Sequence, residues 1–150
     1  MKKLILGIAA ASLFFASCND AQNTTSTENT TPETTTNIVS LNGTISEVLS
    51  TLGMEDQIVG VDVTSVFPES LKSKTQMGSS HSFNIESIIA AKPTYVIGTA
   101  ERGLAANQIT QLEQAGIKVW VIAQEYTIDG TKKLINSLAD SFKKQDKAKE

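Results

Sequence analysis

The stretch IVSLNGTISEVLSTLGMEDQIVGVD, residues 38–62, decides the fold. It opens with a short apolar run that has a β-branched start, which is typical of a strand. Thr44 is then the predicted helix cap, and Glu47 three residues later completes a capping box. Gly53 supplies the helix stop after four apolar residues at helical spacing, which are Ile45, Val48, Leu49 and Leu52. Because the run from Gln57 to Asp62 predicts another strand, the stretch predicts a strand–helix–strand unit.

The rest of the chain repeats this alternation. Asn84 is the predicted cap of a second helix, which must end before Pro93. A third helix has apolar residues at helical spacing and is closed by Gly116, and a strand is predicted on each side of it, Thr94 to Gly98 and Ile117 to Ala123. Strands that alternate with helices argue for βαβ units. The predicted class is α/β with a parallel sheet.

The final segment, Asp129 to Glu150, behaves differently. It begins with apolar residues at helical spacing and then runs out in charge, with no cap signal and no closing strand. Two interpretations stay open: a solvated helical tail, or the first part of a long helix that leads to structure beyond these 150 residues.

Residues 1–17 have the features of a secretory signal peptide. Lys2 and Lys3 precede an apolar run that is too short, with the wrong flanks, for a membrane span. The run ends in FASC, residues 15–18, which resembles the lipobox of bacterial lipoproteins, with Phe where Leu is usual. We expect cleavage before Cys18, the chain's only cysteine, and lipidation of its thiol. The alternatives are a plain signal peptide with an incidental cysteine, or a membrane anchor helix.

Residues 18–37 are rich in Thr and Asn and almost free of apolar side chains. Such a segment cannot bury enough surface to offset the entropy lost on ordering it. We expect a disordered tether between the lipid and a globular part that begins at Ile38, although Thr-rich tracts with Pro also occur as O-glycosylated stalks.

The composition argues against several function classes. The net charge is −3 and no basic patch stands out, which disfavours a nucleic-acid partner. The sequence contains no glycine motif for phosphates, no paired-cysteine metal spacing and no Ser/His/Asp order. We therefore expect a protein that is not an enzyme and has no catalytic cofactor.

Residues 38–98 resemble the N-terminal lobe of bacterial substrate-binding proteins of ABC importers for iron chelates and cobalamin. The shared elements occur in order: EVLSTLG (residues 47–53), IVGVD (58–62), and a helix ending in KP before TYVIG (94–98). The match continues through EQAGIKVWVI, residues 113–122. GVDVTSVFP, Gly60 to Pro68, is closest to the haemin-binding branch, where GxDxTSxxP is usual.

This resemblance implies a Rossmann-like parallel-sheet lobe, one of the two lobes of a class III periplasmic-binding-protein fold. Residues 38–128 would be the N-terminal lobe and 129–150 the start of the inter-lobe spine helix, with the C-terminal lobe missing from the sequence. The implied protein is a lipoprotein of the periplasm or cell envelope that captures haemin and delivers it to an ABC permease in the inner membrane. The alternatives are a binder of a ferric siderophore or cobalamin, and a non-transport surface or docking fragment without a ligand.

The resemblance also places the ligand site. Many haem-binding relatives carry GYxR, with a Tyr that ligates iron, where this chain has Gly78, Ser79, Ser80 and His81. His81, the only histidine, is therefore the candidate ligand of the haem iron, since imidazole is an established haem ligand. The alternative is an exposed loop histidine. Further expected ligand contacts are Ser79, Ser80, Asn42 and Phe83.

Other side chains have two interpretations each. Phe67 and Phe83 flank the expected cleft, where they either pack on a flat macrocycle or belong to the core. Glu86 corresponds to the family's acidic residue that docks on an arginine of the permease, and helix stabilisation is its alternative role. For Tyr95 and Trp120 we expect ordinary core packing between a strand and helices.

Overall fold

The computed structural model describes residues 36–149, and the predictions for the signal peptide, for Cys18 and for most of the tether lie outside them. The strands are β1 Ile38–Ser40, β2 Ile58–Val61, β3 Thr75–Gln76, β4 Gly78–Ser79, β5 Ser82–Phe83, β6 Tyr95–Thr99 and β7 Lys118–Ile122. The α-helices are α1 Gly43–Thr51, α2 Ile85–Ala90, α3 Ala106–Gln114 and α4 Ile128–Phe142. Short 3-10 turns cover Glu55–Gln57, Glu69–Ser73 and Lys147–Lys149. None of these helices is long and apolar enough to cross a membrane.

Five strands form one parallel sheet in the order β3-β2-β1-β6-β7. The central strand β1 pairs with β2 on one side and with β6 on the other, so that Val39 lies between Gly60 and Val96. β4 and β5 form a separate antiparallel hairpin. The predicted α/β class with a parallel sheet is confirmed.

Helices cover both faces of the sheet. Successive strand residues point to opposite sides, and the apolar ones on each side need a helix layer to bury them. Ile38 and Ile97 face one hydrophobic cluster, which includes the apolar residues of α1 and α4. Val39 and Val96, their neighbours along the strands, face a second cluster with residues of α2 and α3. The chain therefore builds two cores, one on each side of a fully covered sheet.

Helix α1 begins two residues earlier than predicted. Its cap is Asn42, not Thr44: the Asn42 backbone is extended, and its Oδ1 accepts hydrogen bonds from Thr44 N (3.0 Å) and Ile45 N (3.3 Å). Thr44 is already inside the first turn. The predicted stop is confirmed, since Gly53 follows the helix with a φ of +73°, a conformation that favours glycine.

Helix α4 starts at Ile128 and ends at Phe142, so the helix expected from residue 129 onwards stops before the end of the described residues. Lys143 caps it in the left-handed conformation (φ 57°), and no glycine signals this end in the sequence. The helix is not a solvated tail, because Leu134 and Leu138 are buried in the cluster shared with α1. Ala148, in the turn after the helix, packs against the same cluster.

Candidate functional site

A pocket of about 390 Å³ lies at the carboxyl edge of the parallel sheet. Residues that follow four different strands line it: Asn42 after β1, Asp62 after β2, Arg102 after β6 and Gln124 after β7. The chain runs from β1 to β2 on one side and returns to β6 on the other, so the strand order reverses beside β1. Open α/β sheets bind ligands in the crevice at such a switch point.

A buried carboxylate supports one wall of the pocket. Asp62 is only 3% exposed, and it accepts hydrogen bonds from Thr64 Oγ1 (2.6 Å) and Ser65 Oγ (2.7 Å). Ser65 Oγ in turn lies 2.7 Å from Ser46 Oγ in helix α1. These hydroxyl donors satisfy the buried charge and hold the loop after β2 against the helix.

The amino terminus of α1 points its donors at the protein instead of the pocket. The Gly43 N–H donates to Thr64 Oγ1 at 3.0 Å, and the next two N–H groups donate to the Asn42 side chain. With these N–H groups already bonded, the helix start is not an open anion site. The positive side chain that lines the pocket is Arg102, the chain's only arginine.

Arg102 makes no ion pair or hydrogen bond with any residue in the described range 36–149. Gln124 Oε1, on the same pocket wall, is buried without a hydrogen-bond partner among those residues. An unpaired guanidinium and an unsatisfied acceptor suit a ligand that has both anionic and donor groups.

The pocket rim is apolar and exposed. Val66 is 54% exposed, Phe67 64% and Tyr126 76%, and all three line the pocket. Large apolar side chains left open around a concave site are typical of a ligand surface. Phe67 therefore belongs to the site and not to the core.

The structure separates the predicted ligand contacts into two groups. Asn42 and Ser80 line the pocket, although the Asn42 side-chain oxygen is engaged as the helix cap. His81 is exposed at the turn of the β4–β5 hairpin and lines a neighbouring depression beside the start of α3, together with Ser80. Ser79 is half-buried in β4, where its Oγ accepts a long 3.4 Å hydrogen bond from His81 N.

Phe83 is a core residue, 7% exposed in the cluster with Met77 and Ile88, which leaves little of its ring for a ligand. Tyr95 and Trp120 pack on Phe142 of α4 with ring centroids 5.6 and 6.5 Å away, which confirms the expected strand–helix packing. The part of the chain that the structure covers has no group of three or more His, Cys, Asp or Glu side chains that could hold a metal ion.

Glu86 is exposed in the first turn of α2, which Asn84 caps through a 3.0 Å hydrogen bond to Ser87 N. It lines a surface groove between α2 and α3, together with Ile89, and is not part of the pocket. This placement is compatible with both of its predicted roles.

Arg102, Gln124 and Tyr126 carry no motif, and the sequence patterns did not single them out. A signal existed nevertheless, since each follows the predicted end of a parallel strand, where such sheets place ligands. Applied to every strand and not to one loop, that rule would have found them.

Residues 38–150 match the family model described as Periplasmic binding protein. An uncharacterized ABC transporter substrate-binding lipoprotein, YvrC of Bacillus subtilis (strain 168), is 29% identical over 112 residues, covering 74% of this chain and 35% of that protein. A vitamin B12-binding protein of Vibrio vulnificus (strain CMCP6) is 29% identical over 83 residues, which cover 55% of this chain and 30% of the Vibrio protein.

Two solved structures extend the comparison. A periplasmic heme binding protein from Pseudomonas aeruginosa is 31% identical with a TM-score of 0.70, covering 75% of this chain and 40% of that one. The periplasmic heme binding protein HutB of Vibrio cholerae is 32% identical with a TM-score of 0.69, and the match covers 77% of this chain and 44% of the HutB chain.

The chain therefore spans less than half of the length of each of these relatives, and its fold corresponds to one lobe of theirs. The family model covers the whole described sheet and its helices, the pocket lies where this fold binds ligands, and the resemblance of residues 38–122 is confirmed. On these grounds the chain belongs to the periplasmic binding protein family.

Proposed function

We propose that this chain is the ligand-holding N-terminal lobe of a lipid-anchored binding protein, not an enzyme, that captures haemin and delivers it to an ABC permease. The observation that carries the proposal is the pocket at the sheet edge, which is lined by exposed Phe67 and Tyr126 and by Arg102, a side chain without an ion pair among the described residues. Haemin is a flat apolar ring with two carboxylates. Aromatic side chains pack on such a ring, and an arginine pairs with a carboxylate in a bidentate manner.

The size of the pocket supports one half of a binding cleft. Its volume of about 390 Å³ lies at the low end of the usual range for small-molecule sites. Since the chain spans 40% of the Pseudomonas haem-binding structure, we propose that a second lobe, joined through α4, supplies the opposite wall.

Cobalamin is the second candidate, because the Vibrio vulnificus relatives are vitamin B12-binding proteins. The corrin ring carries amide side chains, so it offers Arg102 no carboxylate partner. Two further outcomes remain for the experiment to distinguish. The protein binds a ferric siderophore, or it binds no ligand at all, as expected of a surface docking fragment.

Absorbance and fluorescence titrations of the full-length protein with haemin, cyanocobalamin and a ferric hydroxamate siderophore test the proposal. We expect haemin to bind most tightly and Arg102→Gln to weaken it by about tenfold, the loss of one charged hydrogen-bonded contact. Lys132→Gln, which removes an exposed cation of α4 outside the pocket, is the matched control and should bind as wild type. Tighter binding of cobalamin, or an unaffected Arg102→Gln, contradicts the haemin assignment.

Glu86 is the proposed permease contact, on the basis of its exposure at the α2–α3 groove and its family counterpart. In the same experimental series, Glu86→Gln should bind haemin normally and slow haemin uptake by cells. Asn84 caps the helix independently of Glu86, so the variant should keep its thermal stability. Normal haemin uptake by cells that carry Glu86→Gln would contradict the permease contact, and helix stabilisation would then be the remaining role for Glu86.

A further inference from the structure

Tyr126 lies on the loop between β7 and α4, and the residue is 76% exposed where it lines the pocket. It forms no hydrogen bond through its hydroxyl with any residue that the structure describes. A tyrosine this exposed contributes little to the core, so packing does not explain its position.

The loop that carries Tyr126 is anchored on both sides. Glu125 pairs with Lys133 of α4 at 3.1 Å, and the Thr127 side chain caps the helix by accepting from Gly130 N at 3.0 Å. Gly130 lies against Glu125 so closely that an added Cβ would sit 2.3 Å from its carbonyl oxygen. The backbone next to Tyr126 is therefore held in place while the ring stays free.

Haem iron in proteins is held by His, Cys, Met or Tyr side chains. Of these residue types, the pocket lining contains only Tyr126. His81 lies in the neighbouring depression with Gly103, Asn107 and Gln108, on the hairpin turn. Tyr126 lines the pocket that also contains Phe67 and Arg102, whereas His81 does not.

We propose that Tyr126 is the iron-coordinating residue of this lobe, an inference that rests on haemin being the ligand. Coordination forms a bond between the phenolate oxygen and ferric iron, releases the water or chloride bound there, and passes the phenol proton to solvent. Arg102 is the positive side chain that lines the same pocket.

Tyr126→Phe is the decisive variant because it keeps the ring and removes the coordinating oxygen. Tyr95→Phe is the matched control: it changes the only other tyrosine, which packs on Phe142 and under Lys118 outside the pocket. The full-length wild type and both variants are titrated with haemin and with metal-free protoporphyrin, and the ferric complexes are examined by absorbance and resonance Raman spectroscopy.

We expect Tyr126→Phe to shift the Soret band, remove the tyrosinate bands and weaken haemin binding by roughly tenfold or more. Its affinity for metal-free protoporphyrin should change less than about twofold, since no iron is present to coordinate. Tyr95→Phe should match the wild type in every measurement.

An unchanged haemin spectrum in Tyr126→Phe overturns the inference and leaves the proposed function standing. Equal losses for haemin and for metal-free protoporphyrin also overturn it, because they would make Tyr126 a packing residue. A spectral change in His81→Ala but not in Tyr126→Phe returns the role to His81. A wild type that binds cobalamin but not haemin overturns the proposed function and this inference together. The two failures are therefore distinguishable, because the earlier outcomes overturn the inference alone.

Discussion

Asp62 is the side chain that most directly links a local motif to the shape of the pocket. The run Gly60 to Pro68 carries the resemblance to one branch of the family, and its geometry gives a physical reason for three of its residues, Asp62, Thr64 and Ser65. The carboxylate is buried and held by the hydroxyls of Thr64 and Ser65, and Thr64 also accepts from the backbone of α1. One charged group thereby fixes the loop that carries Val66 and Phe67.

Asp62→Asn should therefore lower stability although it keeps the side-chain volume. The amide keeps one acceptor oxygen where two hydroxyls donate, so one of the hydrogen bonds to this buried side chain is lost, at a cost of about 1–3 kcal/mol. Urea unfolding followed by circular dichroism measures the change. Asp56→Asn, at an exposed carboxylate, is the control and should stay within about 0.5 kcal/mol of wild type. Equal stability of the two variants would show that the buried network contributes nothing.

At the scale of the element, α1 shows how a cap is chosen between two suitable residues. Asn42 and Thr44 are both good capping types, and the capping-box pattern with Glu47 favours Thr44. The structure uses Asn42 because β1 ends at Ser40 and the close approach of Thr64 requires a residue without a side chain at Gly43. An added Cβ there would lie 2.5 Å from the Thr64 carbonyl oxygen.

The two caps are distinguished by stability. Asn42→Ala should cost about 0.5–2 kcal/mol, because the N–H groups of Thr44 and Ile45 lose their shared acceptor. Asn42→Asp keeps an acceptor and should recover most of this loss. Thr44→Ala, the matched change at the predicted cap, should have a much smaller effect. Chemical denaturation of the three variants gives the comparison, and a larger loss in Thr44→Ala than in Asn42→Ala would contradict the observed cap.

At the scale of the whole described lobe, some of the exposed apolar residues lie together, whereas others, such as Ile89 in α2 and Val121 in β7, do not. Val66, Phe67 and Tyr126 gather at the carboxyl edge of the sheet, where the pocket lies, while α1 and α4 bury their apolar stripes on one face. The exposed apolar surface beside the pocket is suited to contact with a ligand or with a second lobe. Under the proposed function, a lipid anchor at Cys18 would keep the protein beside the permease.

Cys18→Ala should leave the precursor without a lipid, because that position offers the only thiol in the chain. Cells grown with a labelled fatty acid, followed by immunoprecipitation, should show label in the wild type and none in the variant. The Ser17→Ala variant changes the neighbouring residue, keeps the thiol and should remain labelled. Label on Cys18→Ala would refute the lipoprotein assignment, and with it the proposed anchoring at the cell envelope.

The features that were predictable from the sequence are mostly those that neighbouring residues specify. Strand runs, the Asn84 cap, the Gly53 stop and the order of βαβ units follow from periodicity and backbone preference, which act locally. The choice of Asn42 over Thr44 and the end of α4 at a left-handed Lys143 were not readable, since each depends on a contact or a conformation that no neighbouring residue signals.

The tertiary structure decided most of the pocket lining, of which only Asn42, Ser80 and Phe67 were expected from the sequence. Asn42, Asp62, Arg102 and Tyr126 lie up to 84 positions apart in the chain, from 42 to 126, and the sheet order β3-β2-β1-β6-β7 brings them to one edge. The same packing buries Phe83 and leaves Phe67 open, although both are aromatic residues in loop-rich stretches. The physical reason is that strand order and layer packing are set by the sum of long-range burial, whereas helices and strands arise from local preference.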